Sequence, residues 1–398
     1  MVPDGICIGP QIAVVFRYRM GNTGIAQLHV GDVALPVQAA ELTVAGKSAA
    51  LMDVATGTLL YESNSHERLA PASVTKVMTM LLIMEAVDSG KIAMMDMVTA
   101  SETAAAKGGS QIYLKPGETM SVSDMLKSIA VSSANDCACA MAEHIAGSEE
   151  AFVALMNQKA AELSMKDTHF VNCTGLDDGE NAAEHRTSAY DIALMSRELL
   201  KNHPDIKQFT TIWMDTVRNG TFGLSNTNKL VRFYQGATGL KTGYTSGAGY
   251  CLSATAQRDG MELIAVVMGA DTSANRNAAC KQLLDYGFAN FAVITPELPE
   301  PEPVAVKLGK QKTVEAVLGT RDGMLVDKAR KSAVAMELSL EDSVTAPVSR
   351  GQRLGTLTVK AGDQILKEIP LVAAEGVARM SYGDLFGMVL KRVSMARV

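Results

Sequence analysis

Two residues early in the chain have the types and spacing that nucleophilic chemistry requires. Ser73 and Lys76 are three positions apart at the start of a strongly apolar run, so on a helix they lie on one face, one turn from each other. A serine hydroxyl is a poor nucleophile until a neighbour takes its proton, which a neutral lysine amine can do. A helix N-terminus adds partial positive charge that favours the alkoxide and opposes charging of the amine. Alone, the pattern also fits an N-capping serine followed by a solvated lysine.

A second polar pair, Ser133 and Asn135, stands between two predicted helices. Helical patterns cover 122–132 and 136–145, and the tripeptide S-A-N lies between them. Residues two apart do not share a helical face, so only a turn between helices can aim both side chains at one cleft. Simple capping is the alternative explanation, because serine and asparagine are both favoured N-caps.

The tripeptide Lys241-Thr242-Gly243 is predicted to lie on a β-strand. The runs 250–256 and 263–268 that follow it are alternating or wholly apolar, and R-D-G between them is typical of a hairpin turn. The lysine is therefore expected on a strand of an antiparallel sheet.

Other elements must position these three groups. The apolar residues after Ser73 predict a buried helix, which would give a reactive serine a rigid mount. A segment rich in proline and glutamate marks a linker, and alternating runs with glycine turns follow it. The predicted division is a leader or disordered extension (1–40), a first domain (41–295), a linker with a small β domain (296–378) and a tail helix (379–398).

The composition excludes several classes of function. A formal net charge of -6 without a long basic run argues against a nucleic-acid partner. No window of about 18 uninterrupted apolar residues is present, so no segment is predicted to span a bilayer. The six cysteines show no C-x-x-C spacing, so no metal site or cofactor is predicted and the cysteines are expected to be small buried residues.

The N-terminal segment 1–40 is difficult to assign. Arg17 and Arg19 fit the charged part of a secretory leader, and V-Q-A before Ala40 fits a cleavage site. Polar residues between them make the apolar part poor. The segment is interpreted as an atypical leader, with a disordered extension as the alternative.

The C-terminal segment is amphipathic. It is predicted to form a membrane-surface helix, which binds through buried apolar area and attraction to anionic lipid. A terminal helix that packs on its own domain is the alternative. The apolar face comprises Leu385, Met388, Val389 and Val393, and the positive charge comes from Lys391, Arg392 and Arg397.

The three motifs Ser-x-x-Lys, Ser-x-Asn and Lys-Thr-Gly, in this order, form a specific signal. From about residue 45 to 295 the chain resembles the low-molecular-mass penicillin-binding proteins, the serine D-alanyl-D-alanine carboxypeptidases. Its β domain and tail resemble the family's C-terminal part. The resemblance implies an α+β fold: a β-lactamase/transpeptidase-like serine peptidase domain with an antiparallel sheet flanked by helices, then a small all-β domain and a C-terminal amphipathic helix.

The resemblance also implies a role for each catalytic residue. Ser73 would attack the carbonyl between the two terminal D-alanines of a cell-wall stem peptide, and Lys76 would take its proton. Ser133 would relay a proton to the leaving amine. Asn135 would hydrogen-bond the substrate's amide.

The remaining site residues are assigned to substrate binding. The backbone N–H groups of Ser73 and Tyr244 would form the oxyanion hole. The tripeptide Lys241-Thr242-Gly243 would meet the substrate's terminal carboxylate, and Arg276 stands where the resemblance suggests a further carboxylate-binding arginine. Some family members have histidine in place of Tyr244, but only the backbone is used there. Two lysines in one cleft should disfavour charging of each other, and burial should add to this effect.

Two alternative functions come from other classes. A β-lactamase would use a glutamate-held water for deacylation; Glu162 lies in a plausible region, but no neighbouring asparagine completes that pattern and a β-lactamase lacks the β domain. A non-catalytic sensor would bind peptidoglycan or β-lactam without turnover.

The resemblance implies partners and a location. The expected partners are peptidoglycan stem peptides, β-lactam antibiotics as inhibitors, and a membrane surface contacted by the C-terminal helix. The expected location is exported and peripheral, at the outer face of the cytoplasmic membrane.

Overall fold

The computed structural model describes residues 16–18, 42–177, 181–298, 302–320, 323–384, 386, 387 and 389. The chain divides into two compact units, 39–290 and 291–398, the latter together with 1–38. Most of the predicted leader (1–40) and much of the predicted tail helix (379–398) lie outside the described residues. The predicted domain borders therefore stay predictions.

The described part of the chain contains both long and short α-helices. In chain order they are α1 (Lys76–Asp88), α2 (Glu102–Ala105), α3 (Val122–Ser132), α4 (Asn135–Ala146), α5 (Glu149–Glu162), α6 (Ala189–Asn202), α7 (Lys207–Thr210), α8 (Leu230–Phe233) and α9 (Ser273–Asn290). Short 3₁₀ turns are Ala72–Thr75, Ala182–Glu184, Pro204–Ile206 and Lys328–Ala333. Among the described helices, none is both long and apolar enough to cross a membrane.

The β-strands of the described residues lie in both units. They are β1 (Phe16–Tyr18), β2 (Ser48–Asp53), β3 (Leu59–Ser63), β4 (Met97–Thr99), β5 (Thr119–Ser121), β6 (Met214–Val217), β7 (Phe222–Ser225), β8 (Ala237–Thr245), β9 (Gly249–Arg258), β10 (Met261–Ala270), β11 (Phe291–Ile294), β12 (Val304–Lys307), β13 (Thr313–Val314), β14 (Ala316–Leu318), β15 (Met324–Asp327), β16 (Val334–Leu340), β17 (Ser343–Thr345), β18 (Arg353–Ala361) and β19 (Gln364–Ala373).

The first unit is built on an antiparallel sheet of order β3-β2-β10-β9-β8. The predicted hairpin between β9 and β10 is present. Asp259 and Gly260 turn it with φ values of 48° and 77°, as a two-residue hairpin loop requires. Strand β8 lies at the sheet edge, so the predicted position of Lys241 on an antiparallel sheet is confirmed.

Helix α1 is the buried helix predicted from the apolar run. Residues 76–84 and Ala86 are all buried, and they pack in one core with α3, α4 and α6. The 3₁₀ turn 72–75 leads directly into its first turn. The nucleophile candidate Ser73 thus stands on an element fixed by packing on nearly every side.

The second unit is the small all-β domain predicted after the linker. Its larger sheet has the order β1-β16-β18-β19-β14, and its smaller one has the order β13-β12-β17. Strands β11 and β15 form a separate antiparallel pair. Its apolar core includes Leu354, Leu357, Val359, Ile369 and Leu371, each fully buried.

Candidate active site

The candidate nucleophile and base are in contact. Lys76 Nζ lies 3.0 Å from Ser73 Oγ and donates a second hydrogen bond to the Thr174 carbonyl at 2.7 Å. The Lys76 side chain is fully buried, whereas Ser73 is half-buried and so remains partly accessible to solvent. The structure therefore brings together the two residues that the spacing placed on one face.

The environment of Lys76 favours its neutral form. Burial lowers the pKa of Lys76 to about 7, although Cys173 and Asp136 act to raise it. At neutral pH a large fraction of the amine is therefore uncharged and has a lone pair for the Ser73 proton. Burial, rather than a second lysine, is the main cause of this shift.

Lys241 is also buried, and its strand β8 packs against the 3₁₀ turn 72–75 that carries Ser73. Burial lowers its pKa well below the ordinary value, and the charges of Lys76 and Arg276 lower it further. The expected repulsion between the two lysines therefore contributes to the lowered pKa at Lys241, where burial is the larger cause. Lys241 Nζ donates to the Thr242 carbonyl at 2.9 Å, and the Thr242 hydroxyl lies 2.7 Å from the hydroxyl of Thr227.

The Ser133–Asn135 turn has the geometry that the sequence predicts. Ser133 ends α3 in the left-handed conformation, with φ of 63°, and Asn135 is the first residue of α4. Both side chains are buried. The Asn135 amide donates to the Gly108 carbonyl at 2.7 Å, while its Oδ1 has no hydrogen-bond partner in the described part of the chain. A buried acceptor without a donor is suited to receive an N–H group from a ligand.

Asp136, directly after this motif, fixes the loop that faces Asn135. Its carboxylate accepts the backbone N–H groups of Ile112 and Leu114 from the loop, and that of Cys137 from its own helix. Gly109 approaches so closely that an added β-carbon would lie 2.8 Å from the Asn135 amide nitrogen. Sequence reasoning missed this role, because an aspartate in the first turn of a helix ordinarily acts on that helix alone.

Tyr244 and Arg276 both contact the ring of Tyr250. The Tyr244 ring stacks on it with centroids 4.3 Å apart, and the Arg276 guanidinium lies 5.8 Å from its centroid. The Arg276 side chain is buried, and Asn277 Oδ1 accepts from its Nε and Nη2 at 3.1 and 3.0 Å. Arg276 is also close enough to lower the pKa of Lys241. The structure therefore places Arg276 beside Asn277 and Tyr250, and its role in carboxylate binding stays a prediction.

Glu162 does not face the cleft. It is exposed at the end of α5, and its carboxylate pairs with Lys159 at 2.7 Å. The same lysine pairs with Glu85 of α1 at 2.9 Å. An exposed carboxylate that pairs with a lysine is poorly suited to hold a deacylating water, which argues against the β-lactamase alternative.

One group of potential metal ligands occurs within the described ranges. The ligand atoms of Glu85, Glu198 and His203 lie within 4.8 Å of one another. Lys159 already pairs with Glu85, and the Asn202 amide donates to Glu198 at 2.7 Å. The expectation that catalysis uses no metal stays a prediction.

The cysteines are as expected wherever the structure describes them. The described residues of this type are buried and free, namely Cys137, Cys139, Cys173, Cys251 and Cys280. Burial raises the pKa of the Cys137, Cys251 and Cys280 thiols, which disfavours the reactive thiolate.

Comparisons with known proteins cover most of the chain. Residues 35–272 match Peptidase S11, D-alanyl-D-alanine carboxypeptidase, and residues 299–379 match the C-terminal domain of penicillin-binding protein 5. The chain is 47% identical over 349 residues to D-alanyl-D-alanine carboxypeptidase DacF of Bacillus subtilis (strain 168), covering 86% of this chain and 88% of that relative.

Solved structures of penicillin-binding proteins are also similar to this chain. Penicillin binding protein 5 from Haemophilus influenzae matches with a TM-score of 0.72 and 30% identity, covering 85% of this chain and 99% of that one. Penicillin-Binding Protein D2 from Listeria monocytogenes, in its cefotaxime-bound form, matches with a TM-score of 0.58 and 32% identity, covering 63% of this chain and 99% of that one.

Proposed function

Since the chain belongs to the D-alanyl-D-alanine carboxypeptidase family, we propose that it removes the terminal D-alanine from peptidoglycan stem peptides through an acyl-enzyme on Ser73. The family makes the chain a serine-type carboxypeptidase, a hydrolase. The observation that carries the proposal is the 3.0 Å separation between Ser73 Oγ and the Nζ of buried Lys76. With the Lys76 pKa lowered to about 7 by burial, this amine acts as the base.

Acylation proceeds as an addition followed by an elimination. The Ser73 proton passes to Lys76 as Oγ bonds to the carbonyl carbon between the two D-alanines. The N–H groups of Ser73 and Tyr244 hold the resulting oxyanion. Ser133 passes a proton to the nitrogen of the leaving D-alanine as the C–N bond breaks and regains one from the protonated Lys76, which returns to its neutral form. Water then hydrolyses the ester and restores the Ser73 hydroxyl.

Substrate recognition combines an amide contact with a carboxylate contact. Asn135 Oδ1, buried without a partner among the described residues, accepts an N–H group of the stem peptide. Lys241, Thr242 and Arg276 meet the terminal carboxylate. The incoming carboxylate supplies a negative charge beside Lys241, whose pKa is lowered first by burial and then by the charges of Lys76 and Arg276, and so favours the charged form of this lysine.

Two alternative functions, a β-lactamase and a non-catalytic sensor, differ from this carboxypeptidase in testable ways. A β-lactamase lacks the β domain, which here matches the C-terminal domain of penicillin-binding protein 5 over 299–379, and exposed Glu162 supplies no deacylating water. A non-catalytic sensor would bind β-lactam but would not release D-alanine from a peptide that ends in D-Ala-D-Ala. Assay of released D-alanine with the purified protein separates these functions.

The experiment that tests Ser73 is covalent labelling. Incubation with a labelled penicillin should add one drug mass to the peptide that contains Ser73, and Ser73→Ala should abolish the label. Ser89→Ala, at the other end of α1, is the matched control and should be labelled as the wild type is. If Ser73→Ala is labelled at the wild-type rate, the nucleophile is assigned wrongly.

The same function motivates a location. We propose that the enzyme works at the outer face of the cytoplasmic membrane, to which its C-terminal segment attaches peripherally after export by the atypical leader. The support is the apolar stripe beside Lys391 and Arg392 in the sequence. Much of this segment lies outside the described residues.

A further inference from the structure

A chain of hydrogen bonds runs beneath the turn that carries Ser73. The Val171 N–H donates to His185 Nδ1 at 3.0 Å, and His185 Nε2 lies 2.8 Å from Thr75 Oγ1. Thr75 Oγ1 in turn donates to the Ala72 carbonyl at 2.8 Å. Thr75 and His185 are both buried, with 0% and 3% of their surface exposed. Water therefore has little access to these bonds.

The donor and the acceptor of each hydrogen bond in this series are fixed. Because Nδ1 accepts from a backbone N–H, the proton of a neutral imidazole must be on Nε2. Nε2 therefore donates to Thr75, and the threonine's own proton is left for Ala72. Burial, together with nearby His169, Arg186 and Lys76, lowers the pKa of His185 to about 4, so the imidazole is neutral at working pH.

The last hydrogen bond of this series, from Thr75 Oγ1 to the Ala72 carbonyl, acts on the peptide unit that contains the Ser73 nitrogen. The bond from Ala72 to Ser73 is a trans peptide, in which the carbonyl and the N–H point in opposite directions. A hydrogen bond that holds the Ala72 carbonyl therefore also fixes the direction of the Ser73 N–H. It polarises the same peptide unit and so makes that N–H a stronger donor.

The backbone at Ala72 is in an unfavourable conformation, which its hydrogen bond and packing contacts must stabilise. Ala72 has φ of 47°, a left-handed conformation that is costly for alanine. A β-carbon on Gly175 would lie 1.9 Å from the Ala72 oxygen, so the loop after Thr174 packs directly against this carbonyl. The same loop supplies the Thr174 carbonyl to Lys76.

We propose that Thr75 and His185 are positioning residues, which set the orientation of the Ser73 N–H in the oxyanion hole and so control the rate of acylation. The proposal rests on the proposed role of Ser73 as nucleophile and oxyanion donor. Neither residue touches substrate; both act through the Ala72–Ser73 peptide.

The test compares two buried threonines that make the same kind of bond. Thr75→Val removes the donor to Ala72 and leaves the His185 N–H without its acceptor, whereas Thr75→Ser keeps the hydroxyl. Thr210→Val is the matched control, because Thr210 is also fully buried and donates to a backbone carbonyl, that of Thr238, at 2.6 Å. For each protein, the acylation rate constant and the dissociation constant of a chromogenic penicillin are measured by stopped flow, together with Tm.

Loss of a whole oxyanion-hole donor typically slows catalysis about 10²- to 10³-fold, so loss of its positioning should cost part of that. Thr75→Val should acylate about 10- to 100-fold more slowly with an unchanged dissociation constant. Thr75→Ser should recover most of the rate. Thr210→Val should lose a similar amount of Tm but keep the wild-type rate. Equal rates for Thr75→Val and Thr210→Val would overturn the proposal.

A second variant keeps the proposal testable if Thr75→Val does not fold. His185→Ala removes the donor to Thr75 but leaves the threonine hydroxyl in place, and a several-fold slower acylation with unchanged drug affinity is expected. A wild-type rate in this variant would overturn the role of His185. These outcomes differ from failure of the proposed function, in which the wild type itself would not be labelled on Ser73.

Discussion

Gly243 on the edge strand lies directly against the turn that carries Ser73. A β-carbon added to Gly243 would lie 3.0 Å from the Ser73 nitrogen and 2.7 Å from the Pro71 oxygen. Both of these are backbone atoms of the turn, so neither can move aside as the end of a flexible side chain could. The third residue of Lys-Thr-Gly therefore sets the distance between the substrate-binding strand and the nucleophile.

Gly243→Ala should push strand and turn apart and so slow acylation. A displacement of about 1 Å in a catalytic arrangement can cost on the order of 100-fold in rate, and a loss of about 10- to 100-fold is expected here. Gly223→Ala is the matched control: Gly223 also lies on a strand, but nothing lies within 4 Å of its added β-carbon. The measurement is the rate of labelling by a fluorescent penicillin. A wild-type rate for Gly243→Ala would show that the close contact has no role in positioning.

The lowered pKa of Lys76 predicts how acylation depends on pH. The base must be neutral, and the Lys76 pKa is lowered by burial from 10.5 to about 7. The second-order rate constant for penicillin should therefore rise about tenfold per pH unit below pH 7 and level off above it, since this constant reports the free enzyme. This rate constant is measured from about pH 5.5 to about pH 9 at constant ionic strength. A rate that still rises tenfold per unit at pH 9 would mean that the base titrates as an ordinary lysine does, which would refute the lowered pKa of Lys76.

Local patterns were sufficient to predict much of the site. The helix predicted over 122–132 is α3 as observed, and the S-A-N tripeptide does form the turn before α4. The hairpin after Lys241 was also predicted, because two left-handed residues, Asp259 and Gly260, carry a recognisable signal. Each of these features depends on residues close together in the chain.

The supporting contacts could not be predicted, because they join distant parts of the sequence. Thr174 lies 98 residues from the lysine that it holds, and His185 lies 110 residues from Thr75. A lone histidine or a threonine in a loop carries no local pattern that points to a partner. Repulsion from Lys241 was predicted as the first cause of a lowered Lys76 pKa, whereas burial is the main cause. The degree of burial is set by tertiary packing, which no local pattern shows.

Removal of the tail should separate membrane binding from catalysis. A chain that ends at Arg379 should stop sedimenting with anionic vesicles yet keep its D-alanine release, because the stripe and its basic residues supply only surface binding. The full-length protein with Lys391→Glu and Arg392→Glu keeps the apolar stripe and should bind more weakly through lost attraction alone. If the full-length protein does not sediment with anionic vesicles, the tail has a structural role instead.

Recognition of a free carboxylate should make the enzyme an exopeptidase. Lys241, Thr242 and Arg276 meet the terminal carboxylate in the proposed complex, and charge-assisted hydrogen bonds are stronger than neutral ones. An amidated terminal D-alanine replaces the carboxylate with a neutral group and loses these charge-assisted bonds, at an expected cost of roughly 2–4 kcal/mol in transition-state binding. This corresponds to a fall in kcat/KM of on the order of 30- to 1000-fold for the amide relative to the acid.

Two variants assign this preference to particular residues. Lys241→Ala should shrink the ratio of acid to amide kcat/KM, because the site no longer prefers the anion. Arg276→Ala should do so to a lesser degree, since its guanidinium is already engaged by Asn277 and the Tyr250 ring. The measurement is kcat/KM for acid and amide forms of one peptide in the wild type and both variants. Equal rates on the wild type would refute carboxylate recognition, whereas an unchanged ratio in Arg276→Ala alone would remove only that arginine from the site.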